Sequence, residues 1–564
     1  MSESRFKLFL ISDFTINSLG GLLNNDQQSP LVETKIAGFD RVIPTLLELA
    51  SVERGLNPEG LIIWTRPEKM IPAFGNLLYG KSVVDSDILK EVDAFAEYIL
   101  AVQKKVNVIF VPSWTQPDTR RGMGLLDMRP DTGIGYTLLN MNLRLAQRLS
   151  QANNIYFIDA RRWIGMVGNK ATNPKQWYAG KMAFTNAVFK EAVRDIKAGL
   201  AAMQGFSRKL IILDLDNTLW GGVVGEVGWQ GVVLGGHHPA GEAFVDFQRM
   251  LKALKNRGIL LAIVSKNEEL TALNAIRNHP EMVLRPEDFV DWRINWSDKA
   301  ENIKNLVQSL NLGLQSVVFI DDNPFERGRV RETFPEVLVP EWPDDPLHYL
   351  QALEDLNCFD QIALTAEDVE RSAMYHAEKI RDLSKTQTES LDEWLATLQM
   401  KITLEKMNDN NRKRIVQLIN KTNQMNLSTR RMTEAELNAW LSDGDRALWA
   451  CHVSDKYGDS GLTGIISIDI KDDCAKIIDF VVSCRVFKRG VEETMLAKVI
   501  SYCMEKRITC VQAEYLPTEK NKPCLDVMRG SGFHAIKEDR IFMWNTKTQS
   551  YTFPAHIQII EKYI

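Results

Sequence analysis

The stretch from Lys209 to Gly222, KLIILDLDNTLWGG, constrains the fold more than any other part of the chain. Its apolar residues predict a buried strand, yet Asp214 interrupts the apolar run and Asp216 follows it. An ionised carboxylate is costly to bury without a partner. We therefore expect this strand to end at a site where the two carboxylates bind a cation or take part in chemistry.

Two other predicted strands also end in polar residues. The run GILLAIVSKN ends at Ser265, and QSVVFIDDN ends at Asp321 and Asp322. Strands that alternate with helical patterns predict an open parallel sheet, in which ligands bind outside the carboxyl ends of the strands. The polar endings should therefore meet in one crevice. Asp214 and Asp321 would form a hard-oxygen site suited to Mg²⁺.

Lys299, in the stretch NWSDKAENIKNLVQSL, is the fourth candidate residue. Ser297 is the predicted N-cap, so Lys299 falls in the first turn of the next helix. The helix dipole disfavours a cation at this end. Lys299 is therefore expected to face a phosphate and a carboxylate, where its charge is satisfied.

These four elements resemble the motifs of the haloacid dehalogenase (HAD) superfamily of phosphotransferases. The resemblance implies that Asp214 is the nucleophile that accepts the phosphoryl group. It implies that Asp216 is the general acid/base for the leaving group. Thr218, Ser265 and Lys299 would bind the phosphate.

The same resemblance implies a Mg²⁺ cofactor. Its ligands would be Asp214, Asp216 through its backbone carbonyl, Asp321 and Asp322. The alternative is a purely structural role, in which each motif is a solvated loop or a helix cap. Four motifs in the family's order favour the catalytic interpretation.

The intervals between the motifs are short. Only 46 residues separate Thr218 from Ser265, and 33 separate Ser265 from Lys299. A large cap domain does not fit in either interval, so the crevice should be open. An open crevice suits a bulky substrate or one that a protein delivers. The glycine-rich WGGVVGEVGWQGVVLGG predicts a small flap over the site.

A closer resemblance is to the FkbH-like family of the HAD superfamily. It is carried by LDLDNTLWGGVVGEVG, SKNEE, RPEDFVDWRINWSDKAENI, LNLGLQSVVFIDDNPFER and NKTNQMNLSTRR. The resemblance implies an acyl phosphate substrate, 1,3-bisphosphoglycerate, whose glyceryl group is loaded as a thioester on an acyl carrier protein. The phosphopantetheine arm of the carrier would accept it, in polyketide-type secondary-metabolite biosynthesis.

Val264 departs from that family, because many members carry a cysteine directly before the serine of the second motif. No cysteine lies between residues 206 and 345. Three alternatives follow: the carrier thiol attacks directly, the substrate differs, or the protein only cleaves phosphate. The function is then that of a loading transferase, a stand-alone phosphomonoesterase or a non-catalytic assembly-line scaffold.

The chain divides into four predicted segments, which together make a multidomain α/β protein. Residues 1–205 resemble the SGNH-hydrolase fold, a three-layer α/β domain, and residues 206–345 form the HAD-like domain with a Rossmann-like parallel sheet. Residues 346–395 are a charged helical connector. Residues 396–564 resemble the GNAT acyltransferase fold, an α+β domain.

The first segment is predicted to be degenerate as a hydrolase. Ser12 stands about where the nucleophile would be, but no histidine precedes His237. Without a histidine base, Ser12 has no partner to activate it. A structural or binding role is expected for this segment.

The last segment, residues 396–564, is called the third domain below. It carries the stretch RVFKRGVEE. Arg485 and Gly490 fit the GNAT pyrophosphate signature, in which backbone N–H groups at a helix start bind coenzyme A. Lys488 stands where the signature has its middle glycine. These three residues are candidates for binding a carrier's pantetheine phosphate, and the alternative is a plain strand-to-helix turn.

Composition excludes several other classes. The net charge is −5 and no dense Lys/Arg stripe occurs, so nucleic acid is not an expected partner. No apolar stretch is long enough to span a membrane. The seven cysteines form no C-x-x-C pair and are expected to be reduced thiols in the cytoplasm. The oligomeric state stays open.

Overall fold

The computed structural model describes residues 5–51, 58–116, 122–130, 132–362, 377, 381, 384, 390–422, 424–518, 520–537, 539–548 and 551–562. The chain forms two units. One comprises Met1–Ala201 with Met432–Ala439, and the other comprises Ala202–Arg431 with Trp440–Ile564. In the described residues, the first unit contains one sheet and the second contains two.

The first unit is built on a five-stranded parallel sheet. Its strands are β1 Phe6–Ser12, β2 Val32–Ile36, β3 Gly60–Trp64, β4 Val108–Pro112 and β5 Ile155–Ile158, in the order β2-β1-β3-β4-β5. The helices are α1 Asn17–Asn25, α2 Val42–Ala50, α3 Pro67–Met70, α4 Pro72–Leu78, α5 Asp85–Ala101, α6 Ile134–Leu149, α7 Ala160–Val167, α8 Pro174–Gly180 and α9 Asn186–Met203. The predicted alternation of strands and helices is confirmed.

The polar side chains at the carboxyl end of β1 accept hydrogen bonds from neighbouring residues of the same domain. The Ser12 hydroxyl accepts a hydrogen bond from the Phe14 N–H at 3.1 Å. The carboxylate of the next residue, Asp13, accepts two hydrogen bonds from Arg66, through its backbone N–H and its Nε, both at 2.9 Å. Burial raises the pKa of Asp13, and Arg66 opposes that effect. The SGNH-like assignment stays a prediction.

The second sheet has four parallel strands in the order β8-β7-β6-β9. They are β6 Leu210–Leu213, β7 Leu260–Ser265, β8 Phe289–Ile294 and β9 Val317–Ile320. The helices around it are α10 Val224–Gly231, α11 Pro239–Asn256, α12 Glu269–Asn278, α13 Lys299–Ser309, α14 Pro324–Thr333 and α15 Tyr349–Glu354. The apolar run EVLVPEWP, residues 336–343, would suit a further strand, but it forms a single bridge between Val318 and Leu338.

Burial on both faces explains why these strands read as continuous apolar runs. Along β6, Leu210 and Ile212 belong to one apolar cluster, and Ile211 and Leu213 belong to another. Successive side chains of a strand point to opposite faces, so each face carries its own core. The sheet is thereby a fixed platform for the residues that follow its strands.

The segment after residue 345 contributes to one of these cores. Tyr349, Leu353 and Phe359 are buried in the same cluster as Ile211 and Leu213. Of the 50 residues of the predicted helical connector, 24 lie outside the described residues, all of them between 363 and 389. The boundaries at 205, 345 and 395 stay predictions.

The third sheet is a mixed, eight-stranded sheet. Its strands are β10 Met400–Lys406, β11 Asp445–Asp455, β12 Gly458–Lys471, β13 Cys474–Val482, β14 Cys510–Glu514, β15 His534–Lys537, β16 Ile541–Asn545 and β17 Ile557–Lys562, in the order β15-β16-β14-β13-β12-β11-β10-β17. The remaining described helices are α16 Leu391–Thr397, α17 Arg412–Lys421, α18 Glu434–Ser442, α19 Val491–Glu505 and α20 Lys522–Gly530. The predicted α+β architecture is confirmed.

Two cysteines of the third sheet are paired, contrary to prediction. Cys474 and Cys510 lie directly opposite each other on the parallel strands β13 and β14 and form a disulfide, with their Cα atoms 4.5 Å apart. The expectation that all cysteines are reduced is therefore wrong for this pair. Strand register brings the two together, and cysteine spacing does not reveal register.

No helix in the described part of the chain combines the length and apolar character that a membrane crossing requires.

Tyr349 provides a test of the packing after residue 345. Its ring packs against Phe244, Phe247 and Trp342, with centroids 5.2–5.8 Å apart. We expect Tyr349→Ala to lower the free energy of unfolding of this domain by about 3–5 kcal/mol. Tyr349→Phe keeps the ring and loses only the hydroxyl, which donates a hydrogen bond to the Asn217 carbonyl at 3.0 Å. This change should cost about 0.5–1.5 kcal/mol. Denaturant titration measures both, and equal losses would contradict the packing role.

Candidate active site

The strand ends of the second sheet bring the predicted carboxylates together. Asp214 follows β6, and Asp321 and Asp322 follow β9, which is the neighbour of β6. One carboxylate oxygen from each of these three residues lies within 4.8 Å of the others. Asp214 and Asp321 are buried, and Asp322 is half-buried. The three side chains form a group that could hold a metal ion.

Lys299 lies inside this group. Its Nζ is 2.6 Å from Asp321 Oδ2 and 3.1 Å from Asp214 Oδ1. Lys299 is the first residue of α13, as predicted, but the N-cap is Asp298, which accepts a hydrogen bond from the Glu301 N–H. Ser297, the expected cap, instead donates its backbone N–H to Asn295 Oδ1 at 2.9 Å. Two carboxylates thus compensate a cation at the positive end of a helix.

The charges of this group act strongly on one another. Burial, together with the neighbouring Asp214 carboxylate, raises the pKa of Asp321 to about 7. The same two causes raise the pKa of Asp322. Burial alone would lower the pKa of Lys299, but Asp214 and Asp321 raise it. Three carboxylates around one ammonium leave an excess of negative charge in a desolvated place.

This excess fits a divalent cation. Asp214 Oδ1 is buried and receives no hydrogen bond, although it lies near the Lys299 ammonium. Carboxylate oxygens are the ligands that Mg²⁺ prefers, with few of them per ion. The donor set of Asp214, Asp321 and Asp322 therefore matches the predicted cofactor.

Asp216 is held apart from the metal group. Its Oδ1 accepts hydrogen bonds from Trp220 Nε1 at 2.9 Å and from the Val224 N–H at 3.0 Å. Its Oδ2 accepts one from Asn267 Nδ2 at 2.9 Å. Val224 begins α10, which lies in the glycine-rich stretch predicted as the flap. The carboxylate thereby links the end of β6 to the flap and to the loop after β7.

The two predicted phosphate-binding hydroxyls differ in their surroundings. Thr218 is fully buried, and its Oγ1 is 3.3 Å from Asp322 Oδ1 and accepts a hydrogen bond from the Asp322 N–H. It supports the acidic loop directly. Ser265 is buried at the end of β7, with its Oγ 3.4 Å from Asn267 Nδ2.

Sequence reasoning missed three residues that support this site. Arg327 Nη1 donates to the backbone carbonyls of Asp321 and Asp322, at 2.8 and 2.6 Å. The Tyr349 hydroxyl donates to the Asn217 carbonyl at 3.0 Å. Asn267 is the third. Arg327 and Asn267 stand in the stretches that resemble the FkbH-like family, so the resemblance could have indicated them. Tyr349 lies beyond the predicted domain boundary at residue 345, and no motif indicates it.

The three candidates of the third domain lie just before α19. Gly490 has a φ of +88° and precedes the helix, and Lys488 has a φ of +61°. The Lys488 N–H donates to Glu492 Oε1 at 2.8 Å, and the Arg485 Nε donates to Ser483 Oγ at 3.3 Å. Glu492 is buried, and burial raises its pKa to about 7. The helix start already binds a carboxylate of its own chain.

A segment of the chain also fills the space beside β13. β13 pairs with β14 only over Cys474–Ile477. Further along, Val482 N–H donates to the Met425 carbonyl, Leu427 N–H donates to the Phe480 carbonyl, and Leu516 N–H donates to the Leu427 carbonyl, at 3.0–3.1 Å. The strand edge of β13 is thus covered by residues 425–427.

Comparison with known proteins identifies the family. No protein-family model matches the chain, and no curated protein does. Among solved structures, the N-terminal part of protein BF1531 from Bacteroides fragilis is 31% identical. That structure contains a phosphatase domain complexed with Mg, and the match covers 64% of this chain and 96% of that one, with a TM-score of 0.57. This chain belongs to the BF1531 family.

The BF1531 match identifies a phosphatase domain in the present chain. Acetyltransferases are also similar to part of the chain. One is a GNAT-family enzyme from Staphylococcus aureus Mu50, with 14% identity over 26% of this chain and 99% of that one and a TM-score of 0.21. Another is the ribosomal-protein-S18-alanine N-acetyltransferase of Escherichia coli, with 9% identity over 26% and 94% and a TM-score of 0.21.

We expect the affinity of this site for Mg²⁺ to fall below pH 7. A carboxyl with a raised pKa holds its proton below that pKa, and the ion must displace the proton from Asp321. The affinity should drop by up to about tenfold per pH unit. Calorimetric titration at several pH values measures it. The Asp321→Asn variant should bind weakly and with little pH dependence, and a pH-independent affinity of the native protein would refute the argument.

We expect coenzyme A not to bind at the start of α19. The Lys488 backbone N–H already donates to the Glu492 carboxyl at 2.8 Å, so this donor is not open to a phosphate oxygen. Millimolar coenzyme A should change the Tm by less than about 1 °C, because a ligand stabilises only the state it binds. A saturable rise in Tm would contradict this expectation.

Proposed function

We propose that this protein is a Mg²⁺-dependent transferase of HAD type that takes an acyl phosphate and loads its acyl group on an acyl carrier protein. One observation carries the proposal: the buried group of Asp214, Lys299 and Asp321 at the carboxyl edge of a parallel sheet. Membership of the BF1531 family, with a Mg-complexed phosphatase domain, supports chemistry on phosphate. The resemblance to the FkbH-like family suggests the acyl phosphate, 1,3-bisphosphoglycerate, and the carrier.

The carboxylates of Asp214, Asp321 and Asp322 and the backbone carbonyl of Asp216 would hold Mg²⁺. When bound, the ion supplies positive charge that draws electron density from the phosphate and improves it as a leaving group. The buried Lys299 ammonium and the Ser265 hydroxyl would hold the phosphate oxygens. Lys299 also fixes the position of Asp214 through their contact at 3.1 Å.

The carrier thiol would attack the acyl carbon directly. The new C–S bond forms as the C–O bond to phosphate breaks, and phosphate leaves with the electron pair. Asp216, just after the end of β6, would take the thiol proton. A carboxylate has about four lone-pair positions, of which three are used here, so one remains for that proton.

Three of the described cysteines are poorly suited to relay the acyl group. Val264 is fully buried in the core beneath the sheet. Burial raises the pKa of Cys358 to about 12, and does the same for Cys503 and Cys524. A nucleophilic cysteine needs a lowered pKa, because the thiolate is the reactive form.

Exposed apolar side chains around the site support a protein-borne acceptor. Leu270, Trp296 and Phe325 lie on the loops and helix starts that follow β7, β8 and β9, and are 74%, 75% and 86% exposed. Large apolar residues exposed at one edge of the sheet would suit an interaction surface. A carrier that docks there could send its phosphopantetheine arm into the open crevice.

Intact mass spectrometry of carrier proteins tests the proposal. We expect a carrier bearing phosphopantetheine to gain a glyceryl mass when incubated with the protein, Mg²⁺ and 1,3-bisphosphoglycerate. The same carrier without the arm should gain none. Asp214→Asn should slow loading by about 10³-fold or more, because it weakens the metal site and removes the anionic group. Phosphate release without a mass gain would favour the plain phosphatase. The absence of both phosphate release and a mass gain would favour the scaffold.

Direct attack also predicts the state of the enzyme when no carrier is present. The protein incubated with acyl phosphate and Mg²⁺ should carry no hydroxylamine-sensitive adduct on any cysteine. Peptide mass mapping measures this. An acyl group on Cys358, or on a cysteine of the third domain, would contradict direct attack and indicate a relocated relay.

A further inference from the structure

Asn267 lies where three parts of the active site meet. It stands two residues after the end of β7 and is 4% exposed. Its Nδ2 is 2.9 Å from Asp216 Oδ2 and 3.4 Å from Ser265 Oγ. The amide therefore joins the Asp216 carboxylate to the hydroxyl at the end of β7.

The Asp216 carboxylate is held on both of its oxygens. Asn267 holds Oδ2, while Trp220 Nε1 and the Val224 N–H hold Oδ1. The flap also approaches Asn267, since a Cβ placed on Gly225 would lie 4.0 Å from Asn267 Oδ1. Rotation of the carboxylate would break a hydrogen bond at one oxygen or the other. Its plane is thereby fixed.

We propose that Asn267 is a positioning residue that sets the orientation of Asp216 relative to the phosphate site. This inference rests on the role of Asp216 in the proposed function, and Asn267 acts only through Asp216. Proton transfer requires a group placed within hydrogen-bond reach. A misplacement of about 1 Å can cost about 10²-fold in rate.

A double-mutant cycle tests the proposal with acetyl phosphate as the probe. Water takes the place of the carrier thiol and passes its proton to Asp216, so acetate and phosphate are released. Phosphate release in the presence of Mg²⁺ is measured for the full-length protein, Asn267→Ala, Asp216→Asn and the double variant. Asn267→Ala should lower kcat by about 10- to 100-fold and leave KM within about threefold, as for other residues that orient a reacting group. In the Asp216→Asn background the same change should cost less than about twofold, because the two residues act as a unit.

Two further variants separate the hydrogen bond from packing. Asn267→Asp keeps the size and shape of the side chain but loses the N–H donor, so it should lose at least as much kcat as Asn267→Ala. Asn274 is an exposed asparagine on α12, and Asn274→Ala should retain full activity. Additive losses in the cycle, a raised KM with unchanged kcat, or a fully active Asn267→Asp variant would each overturn the proposal.

A measurement without turnover separates this inference from the proposed function. Hydrogen exchange of the peptide that contains Val224 should become faster in Asn267→Ala, because the carboxylate that binds this N–H loses its second anchor. If carrier loading fails while the cycle and the exchange behave as expected, the proposed function falls and the positioning role stands. Unchanged exchange together with unchanged kcat would overturn the positioning role itself.

Discussion

The ammonium of Lys299, buried between Asp214 and Asp321, is the interaction on which the rest of the site depends. It joins the start of α13 to the ends of β6 and β9, so three elements keep their places relative to one another. Breaking a buried ion pair by removing one partner costs about 3–5 kcal/mol, since a charge is left uncompensated. Asp322 adds negative charge beyond what Lys299 neutralises, which favours a divalent cation at this place.

Around this ion pair, each important group is fixed by a residue from a different loop or helix. Thr218 holds Asp322, Arg327 holds two backbone carbonyls of the acidic loop, and Asn267 holds Asp216. The loops start from strands that are buried on both faces, so their positions follow from the core of the sheet. A site that lies on a rigid edge and is supported in this way can keep its geometry without a covering cap domain.

Sequence could predict the strands that end in polar residues, because an apolar run followed by Asp214 or Ser265 has few structural explanations. It missed β8, whose stretch FVDWRI carries Asp291 and Arg293. These two side chains form an ion pair at 2.8 Å that only the folded chain reveals. The cap at Asp298, the contacts of Arg327 and the pairing of Cys474 with Cys510 depend on register or tertiary contacts, which residue spacing does not encode.

The excess negative charge beside Lys299 is expected to hold a divalent cation. Crystals of the protein grown with Mn²⁺ in place of Mg²⁺ test it most directly, because anomalous scattering locates the ion. We expect one strong peak that contacts the carboxylates of Asp214 and Asp321, and loss of that peak in the Asp321→Asn variant. A peak elsewhere, or no peak beside these carboxylates at saturating Mn²⁺, would contradict it.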